Sequence, residues 1–325
     1  MSEQSACAVA HSNIALAKYW GKADAASNLT AVPSLSLTLA ELRTTTRVTF
    51  DSSLAADAGT LGGAPLAGRP LERVRRLLER VRALGKASAF ARVESVNDFP
   101  TASGLASSAS GFAALALAAT RALGLSLSLS EVSALAREAS ASAARSLFGG
   151  YVALEARALS AEPIYPGEHF PLVMLVAVTS SGPKSTASTD GMTHTKETSP
   201  YYPAWVADAP RLYAVVRRAV AERDFEALGT AMEQSTLMMH ASMLAANPAL
   251  IYFAPATLAV IARVRELRAA GLPAFFTIDA GPHVKVLTLP ERAAEIGARL
   301  REVPGVERVL VTGPGPDAHL SEEAS

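Results

Sequence analysis

The stretch Asn97 to Gly111, N-D-F-P-T-A-S-G-L-A-S-S-A-S-G, constrains this chain most, because it runs straight into the apolar segment Phe112 to Leu123. Pro100 and Gly104 break regular structure, and glycine admits the φ > 0 conformation that turns successive amide N–H groups inward. Such a loop suits an anion. Phe112, Leu115, Ala116, Ala119 and Leu123 recur at helical spacing and Gly124 is a suitable stop, so the loop opens a buried helix. The first N–H groups of that helix lack intrahelical partners and lie at its positive end, which favours phosphate by roughly 0.3–1 kcal/mol. Ser107 and Ser108 place hydroxyls where they reach phosphate oxygens or a phosphate-bound Mg2+. An ordinary capped helix start without a ligand fits the same composition equally well. The spacing excludes a Walker A loop, because no lysine follows the glycine.

Composition narrows the partners. Half of the 325 residues are hydrophobic, and 30 Lys and Arg balance 30 Asp and Glu, so nothing suggests nucleic acid or a membrane surface. Any anion must be held by a few local cations and aligned amides. The length suits one large domain or two intimate ones. Cys7 is the single cysteine, which excludes an intrachain disulfide and fits a reducing cytoplasm. The N-terminus M-S-E-Q-S-A-C lacks signal-peptide regions, and the longest apolar runs, Phe170 to Val178 and Gly111 to Ala119, fall short of a membrane span. No His, Cys and carboxylate set has metal-ligand spacing, so no protein-held metal is expected.

Taken in order, Ala8 to Tyr19 reads as a strand. The alternating S-L-S-L-T-L of Ser34 to Leu39 predicts a half-buried strand, with Arg43 to Phe50 as its antiparallel partner. Asp51 to Gly68 reads as a loop or hairpin tip, Leu71 to Leu84 as an amphipathic helix, and Phe90 to Val96 as the strand delivering the central loop. Ser130 is the expected cap of a helix through Glu138, and Tyr151 to Ala156 resumes as a strand. Phe170 to Val178 is a continuous apolar strand. The polar stretch Thr179 to Gly191 reads as a boundary and flap, dividing the chain into 1–180 and 181–325. Beyond it, helices are expected at Pro203 to Glu222, Asp224 to Ala245, Ala254 to Ala270 and Glu291 to Arg301. Strands are expected at Ala274 to Asp279, Val284 to Thr288 and Val306 to Thr312, with a frayed tail from Gly313.

Four clusters carry possible chemistry. K-Y-W-G-K at Lys18 to Lys22 packs two cations and two aromatics beside a glycine turn; a packed Trp20 between solvated lysines is the plainer reading. Ser140, Ser142 and Arg145 gather before Gly149 and Gly150, where an arginine among small residues either offers its planar fork to an anion or caps helix carbonyls. Ser188 and Thr189 are possible donors or plain loop. Asp279 ends an apolar strand before Ala280, Gly281 and Pro282, aimed at a cleft or bonding the nearby backbone in an Asx turn. His240 and the methionines Met232, Met238, Met239 and Met243 read as core.

The order P-x-x-x-G-L-x-S-S resembles the phosphate loop of the GHMP kinases. The segments N-I-A-L-A-K-Y-W-G-K, N-D-F-P-T-A-S-G-L-A-S-S, R-S-L-F-G-G-Y-V and F-T-I-D-A-G-P occur in that order, with A-S-T-D-G-M and E-T-S-P also present. Together, from about Ala8 to Thr288, they resemble the diphosphomevalonate decarboxylase family of that superfamily. The resemblance implies an α+β GHMP kinase fold, its N-terminal half like ribosomal protein S5 and its C-terminal half ferredoxin-like, with the active site in the cleft between. It further implies ATP and Mg2+, a homodimer, and conversion of mevalonate 5-diphosphate to isopentenyl diphosphate, ADP, phosphate and CO2.

Residue roles follow by motif. Asp279 matches the catalytic aspartate at the 3-hydroxyl, as base or as stabiliser of cationic character, and Lys18 matches the lysine that keeps it ionised. Arg145 matches the arginine that orients the departing carboxylate, with Ser140, Ser142 and Asn13 on the same wall. Tyr19 and Lys22 match the diphosphate grip, and Ser188 and Thr189 would donate to substrate. Pro100, Ser103, Gly104, Leu105, Ala106, Ser107 and Ser108 match the ATP phosphate loop, with Mg2+ held mostly by phosphate oxygens and water. Thr189 stands where some bacterial members have arginine, and Arg69 and Arg73 both fit the register of an upstream basic contact. Phosphomevalonate decarboxylase and mevalonate 3-kinase are alternatives on the same fold; a non-catalytic nucleotide-binding protein is another. Lys18, Arg145 and Asp279 together favour decarboxylation, and Tyr19 with Lys22 favours a diphosphate.

Overall fold

Two long strands carry the first half in the computed structural model, which describes residues 4–99, 107–179 and 186–321. Strand β1 (Gln4–Ala17) leads through the small hairpin β2 (Lys22–Asp24) and β3 (Leu29–Thr30) into β4 (Ser34–Asp51). Arg43 to Phe50 does not fold back on the residues before it. It continues β4 as one 18-residue strand, which pairs antiparallel with β1 from Gln4 opposite Phe50 to Ala17 opposite Leu35. Nor is its start half-buried: Ser34, Ser36 and Thr38 are as fully enclosed as Leu35, Leu37 and Leu39, because both faces of β4 are covered. The hydroxyls there are satisfied internally, as when Thr38 Oγ1 donates to the Phe148 carbonyl at 2.7 Å.

The hairpin β5 (Ala58–Leu61) and β6 (Ala64–Pro65) forms one edge of this sheet, and α1 (Gly68–Gly85) follows. Val74, Leu77, Leu78 and Val81 form the buried stripe of α1, leaving Arg69, Arg76 and Arg80 outward. Strand β7 (Phe90–Asn97) then pairs with β4. Helix α2 (Ser107–Ala122) lies across β1 and β4, and twelve of its sixteen residues are buried, so its small alanines set a close approach to the sheet. Helix α3 (Leu129–Ala139) is capped by Ser128 rather than Ser130. Glu131 lies three residues on from Ser128 and returns a bond to its N–H at 2.8 Å, whereas Ser130 has only Ser133 in that place. A 3-10 turn over Ala141–Leu147 leads to β8 (Tyr151–Leu154), which pairs with β4, and β9 (Glu162–Tyr165).

The second half opens with β10 (Val173–Val178), after which α4 (Ser188–Thr198) already begins within the stretch expected as flap. Residues 180–185, including Pro183, lie outside the described residues. Helices α5 (Tyr202–Glu222), α6 (Phe225–Leu244) and α7 (Pro255–Ala269) precede β11 (Ala274–Ile278) and β12 (Val284–Thr288). A 3-10 turn at Pro290–Arg292, α8 (Ala293–Arg301) and β13 (Arg308–Thr312) complete an antiparallel sheet ordered β11-β12-β10-β13. Val260, Val264, Ile296 and Leu300 cover one face of it. On the other side one apolar core joins the halves, with Ile14, Leu35 and Leu37 against Val176, Val216, Leu228 and Phe275.

From Gly313 to Ser321 the tail is not frayed. The Gly315 N–H donates to the Thr38 carbonyl at 2.7 Å, its carbonyl accepts from the Gly150 N–H at 3.0 Å, and β14 (His319–Leu320) pairs with β1. A Cβ on Gly149 would meet the Gly315 oxygen at 2.6 Å, so this crossing demands glycine. Among the described residues the first sheet runs β14-β1-β4-β7-β5-β6, with β8 on β4 and β9 on β8. No described helix is long and apolar enough to cross a membrane.

Candidate active site

Where β1 and β11 end side by side, they deliver Lys18 and Asp279 to one point. The Lys18 N–H is fixed by Ser235 Oγ at 2.9 Å, and its Nζ donates to Asp279 Oδ1 at 2.6 Å. From β12, Lys285 Nζ lies 3.2 Å from Oδ2 of the same carboxylate. Lys285 sits opposite Thr277 across the ladder, and Thr277 and Asp279 share a side of their strand because side chains alternate. Both lysines are buried, while the Asp279 side chain keeps 27% exposure. The carboxylate thus pairs with ammoniums, in place of the Asx turn considered from sequence.

Charge around it is unbalanced. Burial alone would raise the Asp279 carboxyl, but the Lys18 and Lys285 ammoniums hold it well below the usual carboxylate range. Desolvation pushes Lys18 from 10.5 down to about 8 against the pull of Asp279, and Lys285 and Arg145 add to the fall. Arg145 is buried on the 3-10 turn, and desolvation lowers it to about 10. Its Nη1 donates to Ser34 Oγ at 2.7 Å and its Nε to Ser36 Oγ at 3.0 Å, so neutral hydroxyls hold the guanidinium. Among the described residues Arg145 has no acidic ion-pair partner. Asn13 accepts from the same Nε at 3.3 Å and ties this wall together through Ser146 Oγ and the Ser142 carbonyl.

A cavity of about 460 Å³ opens in front of these groups, within the range of small-molecule sites. Its wall contains Asn13, Tyr19, Lys22, Ser140, Ser142, Arg145 and Asp279, and its far side Ser107, Ser108, Ser188 and Thr189. Lys18 stands behind Asp279 without lining the space. Ser107 and Ser108 begin α2, and Ser188 and Thr189 begin α4, so two helix N-termini border the cavity. The Tyr19 hydroxyl is buried with no partner among the described residues, a donor awaiting an acceptor. Pro100, Ser103, Gly104, Leu105 and Ala106 lie outside the described residues.

Three features escaped the sequence reading. Lys285, in V-K-V-L-T, looks like one polar residue in a strand; its sole signal is that both neighbours and their strand are apolar. Arg73 and Arg69, equivalent in sequence register, are separated by the fold. Arg73 lines the cavity and lies 4.4 Å over the Phe112 ring, while Arg69 is exposed in a bidentate pair with Asp190 at 2.7 and 3.1 Å. A smaller cavity of about 180 Å³ shares Pro70, Arg73, Ser107 and Ser108 with the first and is lined by Leu61, Val74, Phe112, Ser95 and Asn97. It draws on separated segments, which no local motif reveals.

The fold recurs in solved structures. One from Staphylococcus aureus, a mevalonate diphosphate decarboxylase, superposes with a TM-score of 0.93 at 36% identity, covering 99% of each chain. Another, described as MDDEF in complex with MVAPP, AMPPCP and magnesium, has a TM-score of 0.92 at 40% identity over 99% of this chain and all of that one. The fold is therefore the α+β fold of the GHMP kinases, an S5-like half joined to a ferredoxin-like half. Residues 10–162 match the diphosphomevalonate decarboxylase-like N-terminal domain, and residues 174–310 the mevalonate 5-diphosphate decarboxylase C-terminal domain. The diphosphomevalonate decarboxylase of Ganoderma lucidum is 36% identical over 324 residues, spanning 91% of this chain and 81% of that protein. The chain belongs to the diphosphomevalonate decarboxylase family, and it is an enzyme.

Proposed function

We propose that this enzyme converts mevalonate 5-diphosphate and ATP to isopentenyl diphosphate, ADP, phosphate and CO2 by way of phosphorylation at the tertiary 3-hydroxyl. One observation carries the reading: a lysine-bracketed carboxylate and an arginine without an acidic partner border the same cavity as the start of a buried helix. A tertiary hydroxyl is a poor leaving group, so phosphorylation precedes its departure. Asp279 faces that hydroxyl, accepting its proton or stabilising the cationic character left when phosphate leaves. Lys18 keeps Asp279 ionised. The Arg145 fork holds the neighbouring carboxylate, and loss of CO2 returns the electrons of its C–C bond to form the alkene.

Tyr19, Lys22 and Arg73 are assigned to the diphosphate, Arg73 being chosen over Arg69 because it lines the cavity. Ser140, Ser142, Ser188, Thr189 and Asn13 supply or order neutral donors. Ser107 and Ser108, with Pro100 and residues Ser103 to Ala106, are assigned to the ATP phosphates, and the adjoining apolar cavity to its base. Mg2+ would be held mostly by the ATP phosphates and water and would supply charge neutralisation there. The MVAPP and AMPPCP complex of the similar MDDEF structure supports both ligands. The reading includes a division into 1–180 and 181–325, a homodimer and a cytoplasmic setting, with sedimentation testing the dimer.

The deciding experiment follows ADP, phosphate and CO2 with Mg2+ and ATP on mevalonate, its 5-phosphate and its 5-diphosphate. Release of all three only from the diphosphate is expected. All three from the monophosphate would change the substrate, ADP without CO2 would mean a kinase, and no turnover would favour a binding protein.

A further inference from the structure

Lys285 has no part in the reaction as set out above, yet it is as fully buried beside Asp279 as Lys18 is. We propose that Lys285 is a positioning residue, gripping the second oxygen of Asp279 from behind and keeping that carboxylate aimed into the cavity. The proposal rests on the functional reading above and adds a residue to it.

Full burial of an ammonium costs several kcal/mol unless it is paired. Lys285 lies between Val284 and Val286 on a strand whose five residues are all buried, where an apolar side chain would pack without that cost. Geometry suggests what the charge does. Lys18 donates a hydrogen bond to Oδ1 from the end of β1, and Lys285 forms an ion pair with Oδ2 at 3.2 Å from β12, so the two oxygens face cations on different elements. One lysine would leave the carboxylate able to swing about its terminal torsion, which is broad and soft. Two fix its plane.

Among the described residues, the charged and titratable groups facing Asp279 and Lys285 are Lys18 at the end of β1, Lys285 on β12 with His283 just before that strand, Arg145 on the 3-10 turn and His240 on α6. Burial, reinforced by Lys18, lowers His240 to about 4, so it is neutral at ordinary pH. The Lys285 charge therefore acts on both partners of the reacting pair. It lowers Asp279 by attraction and lowers Lys18 by repulsion. Removing it must move both in the same direction, upward.

Lys285→Met tests this through the pH dependence of kcat/KM, which reports the essential acid and base of the free enzyme. Expected are a fall in kcat of about tenfold with KM little changed, and a rise of roughly one pH unit in both the acid and the basic limb. Lys285→Arg, which keeps the charge, should restore most of the rate and both limbs. Wild-type kcat with unmoved limbs in Lys285→Met would overturn the proposal. If that variant does not fold, Lys285→Gln removes the charge and keeps a donor; the same upward shifts are expected, and unmoved limbs refute it.

A readout independent of turnover is the ¹³C signal of the Asp279 carboxyl in aspartate-labelled protein, assigned by its disappearance in Asp279→Asn. Its titration should lie higher in the charge-removing variant than in wild type. An unmoved signal overturns the role of Lys285 whatever the substrate. A moved signal with no product from any mevalonate ester supports the grip and refutes the functional reading instead.

Discussion

Asp57 and Asp279 are both enclosed carboxylates held by basic side chains, and they are built in opposite ways. Asp57 receives both prongs of Arg82 at 2.7 and 2.9 Å and the Ala91 N–H at 2.8 Å, and it is only 4% exposed. Charge is balanced and the carboxylate is fully engaged, so the group staples α1 to β7 and offers nothing further. Asp279 meets two ammoniums, keeps an open side on a cavity, and has Arg145 nearby without an acid of its own. The first arrangement is finished by the fold; the second leaves cationic charge facing a cavity, as the proposed anionic substrate requires. Surplus buried charge facing a cavity therefore separates a binding centre from a structural pair more clearly than burial does.

The comparison breaks most readily at its catalytic end. Asp279→Asn is nearly isosteric and removes the charge, so turnover should fall by about 100- to 10,000-fold. ATP and substrate binding, followed by calorimetry, should be largely spared. A variant with wild-type rate would remove Asp279 from the chemistry. At the structural end, Asp57→Ala strands Arg82 and should cost about 3 kcal/mol in urea unfolding, with kcat unchanged. Lost turnover at full stability would erase the distinction between the two sites. Arg145→Lys sharpens it: an ammonium cannot reproduce the fork, and loss of charged hydrogen bonds should lower turnover about tenfold to a hundredfold. Undiminished CO2 release would mean that the charge of Arg145 matters and its shape does not.

Much of this was legible in the chain because the signals are local. The apolar run of α2, the apolar stripe of α1 and the acid at the end of β11 each state their structure within a dozen residues. Lys18, Tyr19, Lys22, Arg145 and Asp279, separated by up to 261 positions, were linked by motif order, and the fold brings them to one place. What failed depends on partners far away in sequence. Alternation in S-L-S-L-T-L implies a wet face, yet Ser34 and Ser36 are sealed beneath Arg145, which itself needs their hydroxyls. Lys285 has the look of a stray polar residue until β12 is paired with β11. The tail from Gly313 has the composition of a loose end, and its hydrogen bonds go to distant residues, Cys7, Thr38, Ala40, Leu147, Gly149 and Gly150.

That last contact has a consequence for how the molecule is made. Leu320 lies opposite Ala8, so the edge of the first sheet is closed by a strand more than three hundred residues downstream. The entropy of closing so large a loop grows only slowly with its length, but the strand cannot pair before it has been synthesised. Until then the outer edge of β1 beside Ala8 and Val9 waits with unpaired amides, an exposed template for another chain. Pairing at this stretch of the edge thus waits for His319 and Leu320, and a chain that stops short of them leaves Ala8 and Val9 without that partner.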